Sequence, residues 1–577
     1  MKSKRILYPF CALLFCSLMA ANLSAQVLQT PAERANYQQR GTLYEPMMQF
    51  VYDLASRTDL MKVQKLTQTI LGRDMVLAIL SDPPIAAPSD ITDPNKPIVL
   101  IVNNVHGGEY AGKEAALALM RDLTLGELKP LLKQVVVLVV PTINPDGAEV
   151  YRRTNEQGFD LNRDYIKLES QEVQALVTRV LNVWHPDIHI DTHHGGAVPY
   201  TLTYQTCLNP TCDQGLVDLG NNVIIPRIQG ALRKEDYDGH VYSGPGRLGD
   251  QEGWTPTSCE PRKQHTYSGL SNMVAFLFET PGGSHRLAKN GTELVAIPQA
   301  ERFRHQIRGQ YLAQREVIRY AAEQAGQLKR TVQQARKTAI DLGSNDADND
   351  QVIVEYKQES KGNEEFWRQR RSPQGAGGRG GRGGEAGQPG QAQQAPQFDK
   401  VTQPIFTKFT GTRTTTRPWG YFLPPNLANI VPLLLDHEIA VIKTIEPMEV
   451  EVEVYYAGEL RTREYFQGHY LKEAKVVKKT EKVKLPAGSF FVPSGQPKSN
   501  LISYIMEPET DDNLVTWNYL DNYLRIPGEA VSAEDAPPRQ GGPREQRIPI
   551  YRLMKKAGIK GVLAEDYNEY QRNRFVR

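Results

Sequence analysis

Cysteine is scarce in this chain: there are five in 577 residues, and Cys11 and Cys16 fall within the first 25. Cys207, Cys212 and Cys259 remain, an odd number that excludes a complete set of intramolecular bridges. One bridge between the neighbours Cys207 and Cys212 and three buried free thiols are both compatible with the spacing. That spacing is not a zinc motif by itself. Long apolar runs are missing as well: after residue 21 no segment reaches about 18 apolar residues, so no membrane span is expected. Nor is there an excess of one charge. The 68 basic and 66 acidic residues leave +2, which argues against a protein built mainly for nucleic acid. The length exceeds one ordinary domain and points to two or three.

The N-terminus has the order of a secretory signal. Lys2, Lys4 and Arg5 precede an apolar stretch from Ile6 to Ala21, and small Ala25 stands before Gln26. Cleavage is expected after Ala25, giving an exported protein, periplasmic or secreted. Bulky Phe10 and Phe15 before the two early cysteines speak against lipid attachment.

From about residue 40 to 340, apolar strands alternate with helical patterns. "MVLAIL" (75–80), "PIVLIVNN" (97–104), "VVVLVVPTI" (135–143), "PDIHIDTH" (186–193) and "MVAFLFET" (273–280) read as strands. Runs this rich in Val, Ile and Leu suit strands covered on both faces. Helical spacing in "GKEAALALMRDL" and "SQEVQALVTRVLNVW" between them indicates an α/β domain with a largely parallel sheet. A long helical stretch over 300–337 follows. Residues 358–399 then turn rich in Gly, Gln and Pro, a composition unable to bury enough to order itself. The expected layout is a signal peptide over 1–25, a catalytic domain over 26–345, a linker over 346–400 and a smaller mixed α/β domain over 401–577. His437 and His469 in that last domain are isolated and read as surface or packing residues. The "GGRGGRGG" stretch resembles RNA-binding Arg-Gly tracts, but in an exported, nearly neutral protein it reads as a flexible linker.

Chemistry concentrates at strand ends. His106 and Glu109 follow one apolar strand in "HGGE", His193 and His194 close another in "DIHIDTHHGG", and Glu279 ends a third in "AFLFETPGG". Each alone is ordinary as a turn residue or a capped strand end. In a parallel α/β sheet, however, the carboxyl ends of strands converge on one crevice. Two His and one carboxylate are a common catalytic zinc set, leaving a fourth position open. A separate carboxylate must then take a proton from water, and Glu279 is the candidate. Arg152, Asn162 and Arg163 cluster in "YRRTNEQGFDLNRDY", where a guanidinium fork would suit a substrate carboxylate. The alternative is that these arginines pair with Asp160 or Asp164.

The order "HGGE", "NPDG", "YRRT", "DLNR", "DTHH", "FLFE" resembles the zinc metallocarboxypeptidases of the carboxypeptidase A kind, over roughly residues 40–330. The resemblance implies a mixed eight-stranded sheet flanked by helices and one Zn2+ per chain. His106, Glu109 and His193 would be the ligands, with His194 the alternative to His193. Glu279 would be the general base acting on zinc-activated water. Asn162 and Arg163 would grip the C-terminal carboxylate of a peptide, and Arg152 would stabilise the oxyanion, with Arg153 one register away. Asp160 would accept a hydrogen bond from His106 and fix its tautomer, and Tyr267 would close over substrate. Gly108 departs from the family's animal digestive members, which carry an arginine there. Other readings are a zinc amidohydrolase acting on cell-wall peptides or acylated amino acids, and an inactive binding module.

Overall fold

The computed structural model describes residues 28–38, 40–346, 350–370, 397–524 and 545–564. The expected signal peptide and the Arg-Gly tract lie outside the described residues. Ten strands organise the first part of the chain: β1 (Met61–Gln68), β2 (Asp74–Leu80), β3 (Ile98–Val102), β4 (Val136–Val140), β5 (Ile188–His193), β6 (Leu202–Thr206), β7 (Gly239–Val241), β8 (Gly244–Leu248), β9 (Gln251–Thr255) and β10 (Val274–Glu279). All but β8 and β9 form one sheet of order β1-β2-β4-β3-β5-β10-β6-β7. The four central strands run parallel, and the antiparallel pairings β1/β2, β2/β4 and β10/β6 make the sheet mixed.

β3 and β4 are apolar throughout, and β10 up to its terminal Glu279, because both of their faces are covered. In β3, Val99 and Ile101 enter one apolar layer while Ile98, Leu100 and Val102 enter the other. The first layer is closed by helices Tyr44–Ser56, Ala111–Thr124 and Arg302–Glu323. The second layer continues without a break into Tyr421, Leu501, Tyr504 and Trp517. Fully burying a large apolar side chain is worth about 1.5–3 kcal/mol. An exposed ion pair such as His185–Glu438 gives about 0–1 kcal/mol, so shared apolar packing dominates the union of the two parts.

That later part is a seven-stranded sheet, its strands all antiparallel to their neighbours, with helices Val431–Asp436 and Ser499–Met506. The expected linker holds structure before its glycine-rich segment. Gln351–Glu359 pairs with Lys408–Thr416, and Asn363–Gln369 pairs with Phe398–Pro404. Partners separated by a polar, glycine-rich stretch gave no local signal. Cys207 and Cys212 are joined, and Cys259 is free and buried.

One hairpin reaches back to the first part. Its strands Met448–Phe466 and His469–Leu485 are closed by Gln467 and Gly468 at φ 51° and 85°, the positive pair that a tight two-residue turn needs. The Gln467 side-chain oxygen Oε1 accepts the Asp160 N–H at 2.9 Å, and His469 Nε2 meets the Glu169 carboxylate at 2.9 Å.

Candidate metal centre

β5 and β10 are parallel neighbours with His193 opposite Glu279 in register, so both side chains sit at the same rim. β3 lies on the other side of β5 and ends two positions earlier, with Val102 opposite Asp191. The chain leaving β3 then turns sharply, its backbone held by the Asn104 side chain, which donates to the carbonyls of His106, Gly107 and Glu109. The two glycines of "HGGE" answer a crowding problem. A β-carbon on Gly107 would lie 2.2 Å from the Gly147 carbonyl carbon, and one on Gly108 would lie 3.0 Å from the Tyr151 carbonyl oxygen.

His106, Glu109 and His193 each offer one ligand atom, all within 4.8 Å of one another. His106 Nδ1 lies 2.9 Å from one Glu109 oxygen, and His193 Nδ1 lies 2.9 Å from the other. The two Nδ1 atoms are 3.1 Å apart. Their outer nitrogens are engaged elsewhere: His106 Nε2 with Asp160 at 3.1 Å, and His193 Nε2 with Asp191 at 2.9 Å. Carboxylates there favour a proton on each Nε2 and leave lone pairs on both Nδ1 atoms. Two facing lone pairs beside a carboxylate repel unless a cation lies among them, so the donor set fits a divalent ion of zinc's preferences. His194 is not in this cluster. Its Nε2 accepts the Ala111 N–H at 2.6 Å, which commits its ring to the helix start.

Around the cluster the charges are strongly biased. Burial would raise the Asp160 carboxyl, but His106, Arg163 and Arg153 outweigh it and hold it well below the usual range. Burial, joined by the charges of Glu109 and Asp191, pushes Glu279 up to about 8 against the pull of His193 and Arg153. Among the described residues the Glu279 carboxylate accepts no hydrogen bond, and it stands against Gly195, whose added β-carbon would come within 2.5 Å of it.

Three expected residues stand differently. Arg152 turns away: its guanidinium pairs with Glu156 at 2.6 Å on the surface. Arg153 faces the cluster instead, 3.1 Å from His106 Nδ1 and 2.9 Å from Asp160. The residue before this pair, Tyr151, is left-handed at φ 56°. Asn162 faces inward, its oxygen accepting the Gln264 N–H at 2.8 Å and its nitrogen 3.0 Å from His193 Nε2. Of the "NR" pair, only Arg163 is left without a side-chain partner among the described residues, its one bond going to the Asn162 carbonyl. Tyr267 is buried in the shared core, bonded to His437 at 3.0 Å. Tyr242, just past β7, lies within reach of the charge on Glu279. The negative charge of Glu279, then burial, raise its phenol. Nothing in "HVYSGPG" marked it, because β7 is three residues long and carries no apolar run.

Residues 47–186 match the zinc carboxypeptidase family. Carboxypeptidase 2 of Trichophyton tonsurans is 23% identical over 459 residues, covering 75% of this chain and 76% of that protein. Carboxypeptidase D of Rattus norvegicus is 28% identical over 172 residues, 27% of this chain and 12% of that one. A solved metallo-carboxypeptidase from Burkholderia cenocepacia is 20% identical, with a TM-score of 0.37 over 49% of this chain and 70% of its own. The similarity to the zinc carboxypeptidase family lies in the first part of the chain.

Proposed function

We propose that this protein removes the C-terminal residue from peptides that end in a free carboxylate. Zinc held by His106, Glu109 and His193 would supply Lewis acidity, making water more acidic and polarising the carbonyl. Glu279 takes a proton from the attacking water and passes it to the leaving amine. Arg153 stabilises the oxyanion, and Arg163 holds the terminal carboxylate as a charged fork. Tyr242 borders the bound residue. Asp160 and Asp191 hold the two imidazoles in the ligating tautomer. What carries the reading is the meeting of two Nδ1 atoms and a carboxylate 2.9–3.1 Å apart beside an unbonded buried glutamate.

Export belongs to the same proposal. The charged, apolar, small-residue order of the N-terminus supports it, as does the Cys207–Cys212 bridge, since such bridges persist in oxidising compartments. Among the described residues no helix is long and apolar enough to cross a membrane.

A blocked dipeptide compared with its C-terminal amide tests the substrate. The amide removes a charge-assisted bond worth about 1.5–3 kcal/mol, so kcat/KM falls about 10- to 100-fold. Equal rates would place the protein among amidohydrolases indifferent to the terminus. The arginine assignment has its own check. Arg153→Ala lowers kcat by about 100-fold, as loss of one oxyanion donor does, while Arg152→Ala leaves it within about twofold, as for surface changes. The reverse pattern would restore Arg152.

A further inference from the structure

A cavity of about 650 Å³ opens beside the ligand cluster, with Gly108 and His194 in its wall. Gly108 directly precedes the ligand Glu109, and His194 directly follows the ligand His193. The residues proposed above for the C-terminal carboxylate and the reacting carbonyl, Arg163 and Arg153, take no part in the lining. The cavity therefore borders the ligands apart from Arg163 and Arg153, and on the reading above that is the side on which the chain upstream of the cleaved bond would run.

Its charge is one-sided. Arg40 and Arg302 line it, together with Gln38, Gln299 and Gln306, and no carboxylate does. Arg40 is seated with its guanidinium carbon 4.5 Å over the Tyr151 ring. Arg302 spends one N–H on the Ile297 carbonyl at 3.5 Å. Among the described residues neither guanidinium forms an ion pair. Gly108 adds no side chain to this wall, and a β-carbon there would press on the Tyr151 carbonyl at 3.0 Å. Two unpaired forks converging with amide donors on one hollow make a receptor for a planar anion.

Resting on the carboxypeptidase reading, we propose that this cavity is a subsite for an acidic side chain of the peptide, one or two residues upstream of the cleaved bond. Arg40 and Arg302 bind its carboxylate, which makes the protein selective for peptides with Asp or Glu near their C-termini.

The test uses the full chain carrying Glu279→Gln, loaded with zinc, and measures Kd for blocked tri- and tetrapeptides. The peptides differ only in Glu, Gln or Lys at the upstream positions. A charge-assisted contact makes the Glu peptide bind about tenfold tighter than its Gln counterpart, and the Lys peptide binds weakest. Adding Arg40→Ala removes most of that ratio, and Arg40→Glu reverses the order of Glu and Lys. About 1 M salt, which shortens screening to about 3 Å, narrows the ratio as well. Kd values within about twofold across the three peptides would overturn the subsite. So would a Glu-over-Gln ratio unmoved by both Arg40→Ala and Arg302→Ala. Turnover by the unmodified protein separates the two ideas. A Glu preference in binding with no peptide cleaved would sink the carboxypeptidase reading and sustain the subsite. Cleavage indifferent to the upstream residue would do the opposite.

Discussion

Glu279→Gln retains one zinc per chain and loses about 10³-fold or more in kcat, within the 10²- to 10⁴-fold span of a positioned general base. The substitution keeps the shape of the side chain and removes only its capacity to take and return a proton. The position is buried at the end of β10, so water cannot substitute for the lost base. The carboxylate is held in place by the strand rather than by hydrogen bonds, and the register partner His193 remains untouched. Steady-state kinetics together with zinc content by mass spectrometry decide the matter. Loss of zinc alongside activity would make Glu279 a ligand or a structural group. Unchanged kcat would remove it from the mechanism.

His193→Ala abolishes both stoichiometric zinc and peptide hydrolysis. One of three donors goes, and Glu109 and Asp191 are left facing each other without the imidazole that separated them. Replacing an outer partner such as Asp160 costs about 10- to 100-fold in metal affinity, so losing a ligand exceeds that range. Chelator competition measures the affinity, and Asp160→Asn gives the intermediate value in the same assay. A second consequence follows from mass action. Zinc at about 1,000 times its Kd stabilises the folded chain by about 4 kcal/mol, so a chelator lowers the Tm of the unmodified protein. The same chelator leaves the Tm of His193→Ala unmoved. Full zinc binding in that variant would assign the ion to other residues.

The parts of this account that were legible in the sequence are those governed by buried strands. Val, Ile and Leu running through residues 98–102 and 136–140, with Ile188 and Ile190 in the next strand, required a sheet covered on both faces. Such a sheet brings His106, His193 and Glu279 to one rim by topology alone. Irregular backbone was not legible. Tyr151 and Asn104 both sit at positive φ, and just after the first it is Arg153 rather than Arg152 that stands beside His106 and Asp160. The surroundings of Asn162 and Tyr267 were not legible for a related reason. Whether a polar side chain faces substrate or interior depends on partners far along the chain, here Gln264 for one and His437 for the other. The shared core also escaped, since the alternation in "EVEVEVYY" says that one face is buried without saying against what. Tyr455 in that run packs in the same layer as Leu138 of the first sheet.

Diffraction from zinc-loaded crystals at the zinc absorption edge tests the central claim most directly. The account predicts one anomalous peak per chain, within about 2.0–2.2 Å of Nδ1 of His106, Nδ1 of His193 and a Glu109 oxygen. A peak at any other residues, or imidazoles of 106 and 193 turned to separate ions, would contradict it.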